Sequence, residues 1–168
     1  TVTLVLHATY KEDIFVLGDF NNWEINNSYQ MNRTHADPDN TDNRYWITIN
    51  GLTPDTEYAF QYLIDGEMQV ADPYTEKVLD PSNDPYIRES TYPNLRDYPE
   101  KGEGIVSTMH PGKQGYEWEV SNFTREAKDR LVIYELHFRD FTNDGKIGNI
   151  KEAMQKLDYL EAMGINAI

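Results

Sequence analysis

The sequence contains no cysteine, so it can form neither a disulfide framework nor a thiolate metal site. Cations are scarce: 15 Lys and Arg stand against 29 Asp and Glu, a formal net charge of −14. That balance argues against nucleic acid and anionic membranes as partners, because both are held by clustered cations that neutralise phosphate. An uncharged ligand meets no such repulsion, and an acidic surface also aids solubility. Long apolar runs are missing as well; none approaches the roughly 18 to 20 residues of a membrane span. The chain opens directly on the strand-like Thr1-Val2-Thr3-Leu4-Val5-Leu6, so a secretion signal, had one existed, has been removed. His7, His35 and His110 lack the partner spacing of a metal site or a triad, and no metal or other cofactor is expected.

What is present begins with short β-rich segments. Residues 2–8, 14–18, 44–49, 58–64 and 67–71 are rich in β-branched and aromatic side chains and are separated by turn chemistry, including Gly51 and Pro54. Asp65-Gly66 favours the positive φ angles of a type I′ turn, which predicts a tight hairpin between 58–64 and 67–71. Several strands at this spacing predict an antiparallel β-sandwich. Between 28 and 43 there is no apolar periodicity. Asp37, Asp39 and Asp42 invite a calcium reading, but they miss the EF-hand spacing and the glycine at its bend, so the segment reads as a solvated loop.

From residue 73 to 130 the texture changes. Pro73, Pro81, Pro85, Pro93 and Pro99 alternate with Tyr74, Tyr86, Tyr92 and Tyr98, too aromatic for a flexible linker. We read 81–130 as an irregular, ordered connector, with a strand expected at 117–123. Beyond it, 131–139 reads as a strand whose alternation puts Ile133, Glu135, His137 and Arg139 on one face and Val132, Tyr134, Leu136 and Phe138 on the other. The polar set is expected to pair within itself. Ile150, Met154, Leu157 and Leu160 recur at helical spacing, Asn149 and Glu152 form an Asn-led relative of the capping box, and Gly164 supplies the stop. A helix over 150–163 and a second, parallel strand at 165–168 complete a βαβ unit. Such a unit cannot bury its own faces, so the chain reads as cut inside a longer α/β array.

The runs LVIYELHFRDFT and KLDYLEAMGINAI resemble the opening of the catalytic barrel of glycoside hydrolase family 13, the α-amylase and pullulanase family. Gly18-Asp19-Phe20-Asn21-Asn22-Trp23 and Ala71-Asp72-Pro73-Tyr74 resemble the family 48 carbohydrate-binding module that often precedes such barrels, and residues 72–81 resemble the connection between the two. The resemblance implies an immunoglobulin-like (early-set) β-sandwich at 1–80, the connector at 81–130, and at 131–168 the first strand, helix and second strand of a truncated (β/α)8 barrel.

It also implies a parent enzyme that cleaves α-glucan with retention of configuration, using two carboxyls roughly 5 Å apart. The family carries them on later barrel strands, and a complete barrel takes about 250 residues. Glu135, Asp140 and Asp144 are therefore not assigned catalytic roles, and the fragment is expected to be inactive. The alternative is a non-catalytic module that binds glucan or docks a domain. In the module, Trp23 can stack on a glucose ring while Asn21 and Asn22 hold hydroxyls, or it can be a structural indole that anchors the loop. Gln61 and Met68 stand where relatives carry a Lys and a second Trp, which halves the aromatic surface and predicts weak binding. The partners expected are an α-glucan polysaccharide or oligosaccharide and the remainder of the catalytic domain.

Overall fold

The computed structural model describes residues 1–34, 43–142 and 148–168. His35, the aspartates at 37, 39 and 42, and Asp144 lie outside the described residues. The chain divides into two compact units, Thr1–Gly115 and Tyr116–Ile168.

The first unit is mainly β, with two antiparallel sheets. Strands β1 (Val2–His7), β3 (Asn32–Arg33) and β4 (Arg44–Ile49) form one sheet in the order β1-β4-β3. In the other, β5 (Tyr58–Ile64) pairs with β2 (Ile14–Gly18), with β6 (Met68–Val70) and with β8 (Val106–Met109), and β8 pairs in turn with β7 (Lys77–Leu79). Alternation decides the faces. Leu4 and Leu6 on β1 and Tyr45, Ile47 and Ile49 on β4 are buried, while their neighbours in sequence face outward. They share one apolar cluster with Ile14, Val16, Phe60, Tyr62 and Ile64 from the other sheet, the arrangement of a β-sandwich. β5 has no polar face: its residues 59–64 are all buried. It is central in its sheet, and its outward side is covered by a second cluster of Ala59, Leu79 and Val106, against which Trp23, Leu95 and Tyr98 pack.

The hairpin follows its turn chemistry. Asp65 and Gly66 have φ of 51° and 72°, Ile64 faces Met68 across the ladder, and Asp65 Oδ1 accepts from the amides of Glu12 and Asp13. The proline-rich segment contributes two strands to the sandwich, β7 and β8; Val106 is fully buried and Ser107 hydrogen-bonds the Asp72 amide at 2.7 Å. No strand forms at 117–123, where Trp118, Val120 and Phe123 are exposed.

The second unit departs from the strand–helix–strand expectation. Of 131–139 only Ile133 forms a bridge, parallel to Ala167, and from Phe138 the backbone turns into a short helix, α1 (Phe138–Phe141). Ladder bonds hold a strand extended, and here they stop at Tyr134, whose amide donates to Ala167. The predicted single helix is two, α2 (Ile150–Met154) and α3 (Leu157–Ala162), broken at Gln155-Lys156, where Lys156 leaves helical geometry with φ −105° and ψ 5°. Its ends match the sequence: Asn149 Oδ1 accepts from Glu152 N at 3.1 Å, and Gly164 leaves the helix at φ 80°. The expected Glu135–His137–Arg139 network is replaced by one on Asp140, 3.1 Å from Arg139 Nε and 3.4 Å from His137 Nδ1, all in solvent. No helix among the described residues is long and apolar enough to cross a membrane.

Candidate functional site

The Gly18–Trp23 turn leaves β2 at the point where the chain crosses onto the outward face of β5. Gly18 is extended, and a Cβ there would lie 2.6 Å from the Ala59 carbonyl oxygen, so the close approach of the two backbones requires glycine. Asn21 then fixes the turn from inside: its Oδ1 accepts from Gly18 N at 2.9 Å and its Nδ2 donates to Val16 O at 2.9 Å. Asn22 and Trp23 follow with φ of 55° and 61°, left-handed conformations that Asn tolerates and that cost Trp about 1–2 kcal/mol. The conformation turns the indole onto Ala59, Leu79 and Val106, leaving Trp23 half-buried with its Nε1 donating to Asp19 Oδ1 at 3.1 Å.

Asp19 joins these parts. Its Oδ2 accepts from Ala59 N at 2.7 Å and from Arg96 Nη1 at 2.8 Å, and the same Arg96 nitrogen donates to Glu57 O at 3.0 Å. One carboxylate thus ties the turn, the central strand and the proline-rich segment together. Beside it is a shallow, open cleft of about 360 Å³ lined by Asp19, Thr56, Glu57, Tyr58, Arg96 and Asp97. Glu57 pairs with Lys77 at 2.8 Å, and the Lys77 ammonium lies 4.8 Å from the centre of the Tyr92 ring. Partial burial by itself raises the Glu57 pKa, but hydrogen bonds from Lys77 and Thr108 and the charges of Lys77 and Arg96 outweigh it and hold the carboxyl below its ordinary range. Lys77 is shifted up: burial lowers its pKa, and the Glu57 and Tyr92 interactions outweigh that. Asp19 and Glu57 are hydrogen-bond acceptors held by cations and backbone amides, the chemistry of a structural clamp.

The residues expected to hold glucan are placed as follows. Gln61 is fully buried in β5; its Nε2 donates to the carbonyls of Glu103 and Ile105 at 2.6 and 2.8 Å, and its Oε1 accepts from Glu103 N at 3.0 Å. Its amide is therefore wholly engaged with the 103–105 backbone. Asn21 is likewise committed to backbone. Asn22 is exposed, with its carbonyl accepting from Lys101 Nζ at 2.7 Å, and Met68 is exposed on β6. Sequence reasoning missed Asp19 and Arg96. The signal for the first was its place, four residues before Trp23, where a carboxylate reaches the indole N–H; Arg96 sits in a segment with no periodicity to mark it.

No protein-family model matches the chain. It is 27% identical over 139 residues to a malto-oligosyltrehalose trehalohydrolase of Saccharolobus solfataricus, covering 82% of this chain and 20% of that protein. The same enzyme of Rhizobium sp. strain M-11 is 30% identical over 142 residues, 83% of this chain and 19% of the relative. Pullulanase A of Streptococcus pneumoniae is 28% identical over 130 residues, 70% of this chain and 10% of that protein. The chain thus spans about a fifth or less of the length of the curated relatives it matches. A match of 139 residues exceeds the 115 of the first unit, so the similarity to the first of these proteins extends into the second.

Proposed function

We propose, from the chain's similarity to glycoside hydrolase family 13 enzymes of the α-amylase and pullulanase type, that it is the N-terminal part of an α-glucan-active, retaining glycoside hydrolase. The observation that carries the reading is similarity, longer than the first unit alone, to enzymes whose names specify pullulan and malto-oligosyl substrates. In this reading the β-sandwich, of immunoglobulin-like type, is a non-catalytic module, residues 131–168 begin the barrel, and the acid and nucleophile lie on later barrel strands. Cleavage of the glycosidic bond would pass through a glycosyl-enzyme intermediate formed on one carboxylate while the other protonates the leaving oxygen.

The Asp19–Trp23 turn supports a structural role for that motif. Its carboxylate, its Asn21 amide and its indole N–H are all engaged within the module, so the turn locks the proline-rich segment onto the sandwich. The glucan contact predicted around Trp23 is left with the uncovered part of the indole, Asn22 and Met68. The test is hydrolysis of pullulan, with release of reducing ends, and of malto-oligosyltrehalose, with release of trehalose. The 168-residue chain should give neither product. The parent protein, extended through a barrel bearing strand-end carboxyls, should give at least one. Turnover by the purified 168-residue chain, or inactivity of the parent on both substrates, refutes the proposal.

A further inference from the structure

The outward face of the three-stranded sheet carries an arrangement that the Trp23 turn lacks. Residues directly opposite across a ladder project to the same side. Val5 pairs with Trp46, and Trp46 with Asn32, so these three form one row across β1, β4 and β3. Trp46 is 38% exposed and Val5 50%. In the next outward row, Thr3 faces Thr48, their hydroxyls 2.9 Å apart. At neighbouring-strand spacing the Trp46 row spans about 10 Å, and the threonine row lies about 7 Å farther along the strands. The face therefore presents an indole and an isopropyl group, with two hydroxyls in the row on one side, the basic residues His7 and Arg44 in the row on the other, and at the β3 edge an amide whose Nδ2 also reaches Trp46 O at 3.5 Å.

The three strands contain no Asp or Glu at all, in a chain that carries 29. A stacking platform must be dehydrated when it is covered, and dehydrating a carboxylate is costly, so the absence of carboxylates from the Trp46 and threonine rows favours cover by an uncharged ligand. The net charge of −14 repels a polyanion at long range, and the basic residues of this face, His7 and Arg44, stand one row beyond Trp46 and outside the platform. Its large apolar side chains are only two, far short of the roughly 800 Å² per partner that a stable protein interface buries. A sugar ring needs little more than an aromatic face with donors and acceptors at its edge.

We propose that the Val5–Trp46–Asn32 row, with Thr3 and Thr48, is a glucan-binding platform separate from the Trp23 turn. The proposal rests on the α-glucan reading of the parent for its choice of sugar. Trp46 stacks on the C–H face of a glucose unit, and Asn32 and the threonine pair bond hydroxyls of that unit and its neighbour.

The test is titration of the isotope-labelled 168-residue chain with maltoheptaose, following the indole N–H signals of its three tryptophans. The Trp46 signal is expected to shift saturably while those of Trp23 and Trp118 stay in place. Trp46→Thr, which keeps a β-favouring residue on the strand, should weaken binding at least tenfold, and Trp46→Tyr should retain part of it, both while still unfolding in a cooperative thermal transition. An Asn32→Ala chain covers the case in which Trp46→Thr does not fold; it should bind several-fold more weakly. A shift confined to Trp23, or no shift at all, overturns the platform. So does a concentration-dependent Trp46 shift without sugar, which would mark an interface between copies. None of these failures touches the hydrolase reading, which pullulan hydrolysis by the parent decides.

Discussion

Replacing Asp19 by alanine should cost the first unit about 3 kcal/mol. The carboxylate receives three hydrogen bonds, from Ala59 N, Arg96 Nη1 and Trp23 Nε1. Bonds to a charged acceptor are worth about 1.5–3 kcal/mol each when buried. The Asp19 and Arg96 side chains are 28% and 26% exposed, so solvent screens the ion pair and its share falls towards about 1 kcal/mol. The larger share comes from what truncation leaves behind: a half-buried indole N–H, the Ala59 amide, and a guanidinium whose Nε already has no partner among the described residues. At a urea slope of about 2 kcal/mol per molar, a loss of about 3 kcal/mol moves the midpoint down by about 1.5 M. Asp19→Asn keeps the shape and one acceptor, and should lose about half as much. Urea unfolding followed by circular dichroism gives the magnitude. Tryptophan emission gives the mechanism, because release of Trp23 from the Ala59–Leu79–Val106 surface shifts it to the red. In a double-mutant cycle with Arg96→Ala the coupling should be about 1–2 kcal/mol. A midpoint shift below about 0.5 M, with emission unchanged, would show that the turn holds its place without the carboxylate and would refute the clamp.

Gln61→Leu fills a similar volume but leaves three backbone groups at Glu103 and Ile105 unsatisfied, and should destabilise the unit by about 2–4 kcal/mol; an unchanged urea midpoint would contradict the structural role. The Glu57–Lys77 pair predicts a stability plateau. Glu57 has a lowered pKa in the fold, so its contribution is present above the ordinary carboxyl value near 4.5 and is lost as pH falls through the lower folded value; Lys77 has a raised pKa, so its contribution is complete below the ordinary value of 10.5 and is lost as pH rises through the higher folded value. Lys77→Met should flatten both edges of the urea-midpoint profile, and a profile superimposable on the parent's would show that the pair adds nothing.

What the sequence made legible was set by local chemistry. Asp65-Gly66 announces its turn because few other residues accept two successive positive φ angles, and Asn149 announces a helix start because its side chain reaches an amide three residues on. β5 could be read from its aromatic-rich run, apolar but for Gln61, since a central strand with both faces covered needs no alternation. β7 and β8 could not. They are three and four residues long and are held by partners far away in sequence, β8 by β5 and β7 by β8. The strand expected over 131–139 failed for the complementary reason: its local propensity is strong, but its pairing ends at Tyr134 and propensity alone does not hold a ladder.

The two tryptophans of the sandwich show how far such reading reaches. Trp23 sits in a recognisable turn, yet the direction of its indole depends on a small residue, Ala59, and on Leu79 and Val106, all contributed by other strands. Trp46 sits in a strand that the sequence located residue for residue, and the same alternation that buries Tyr45 and Ile47 requires it to face outward. Its neighbours Val5 and Asn32 could be named only once the register was known, because a one-residue slip of β1 or β3 would exchange them for Leu and Arg or Met. Burial of Leu4, Leu6 and Met31 forbids that slip, since each would be driven into water. The apolar core on the inner face of the sheet therefore fixes which polar groups stand beside the indole on the outer one.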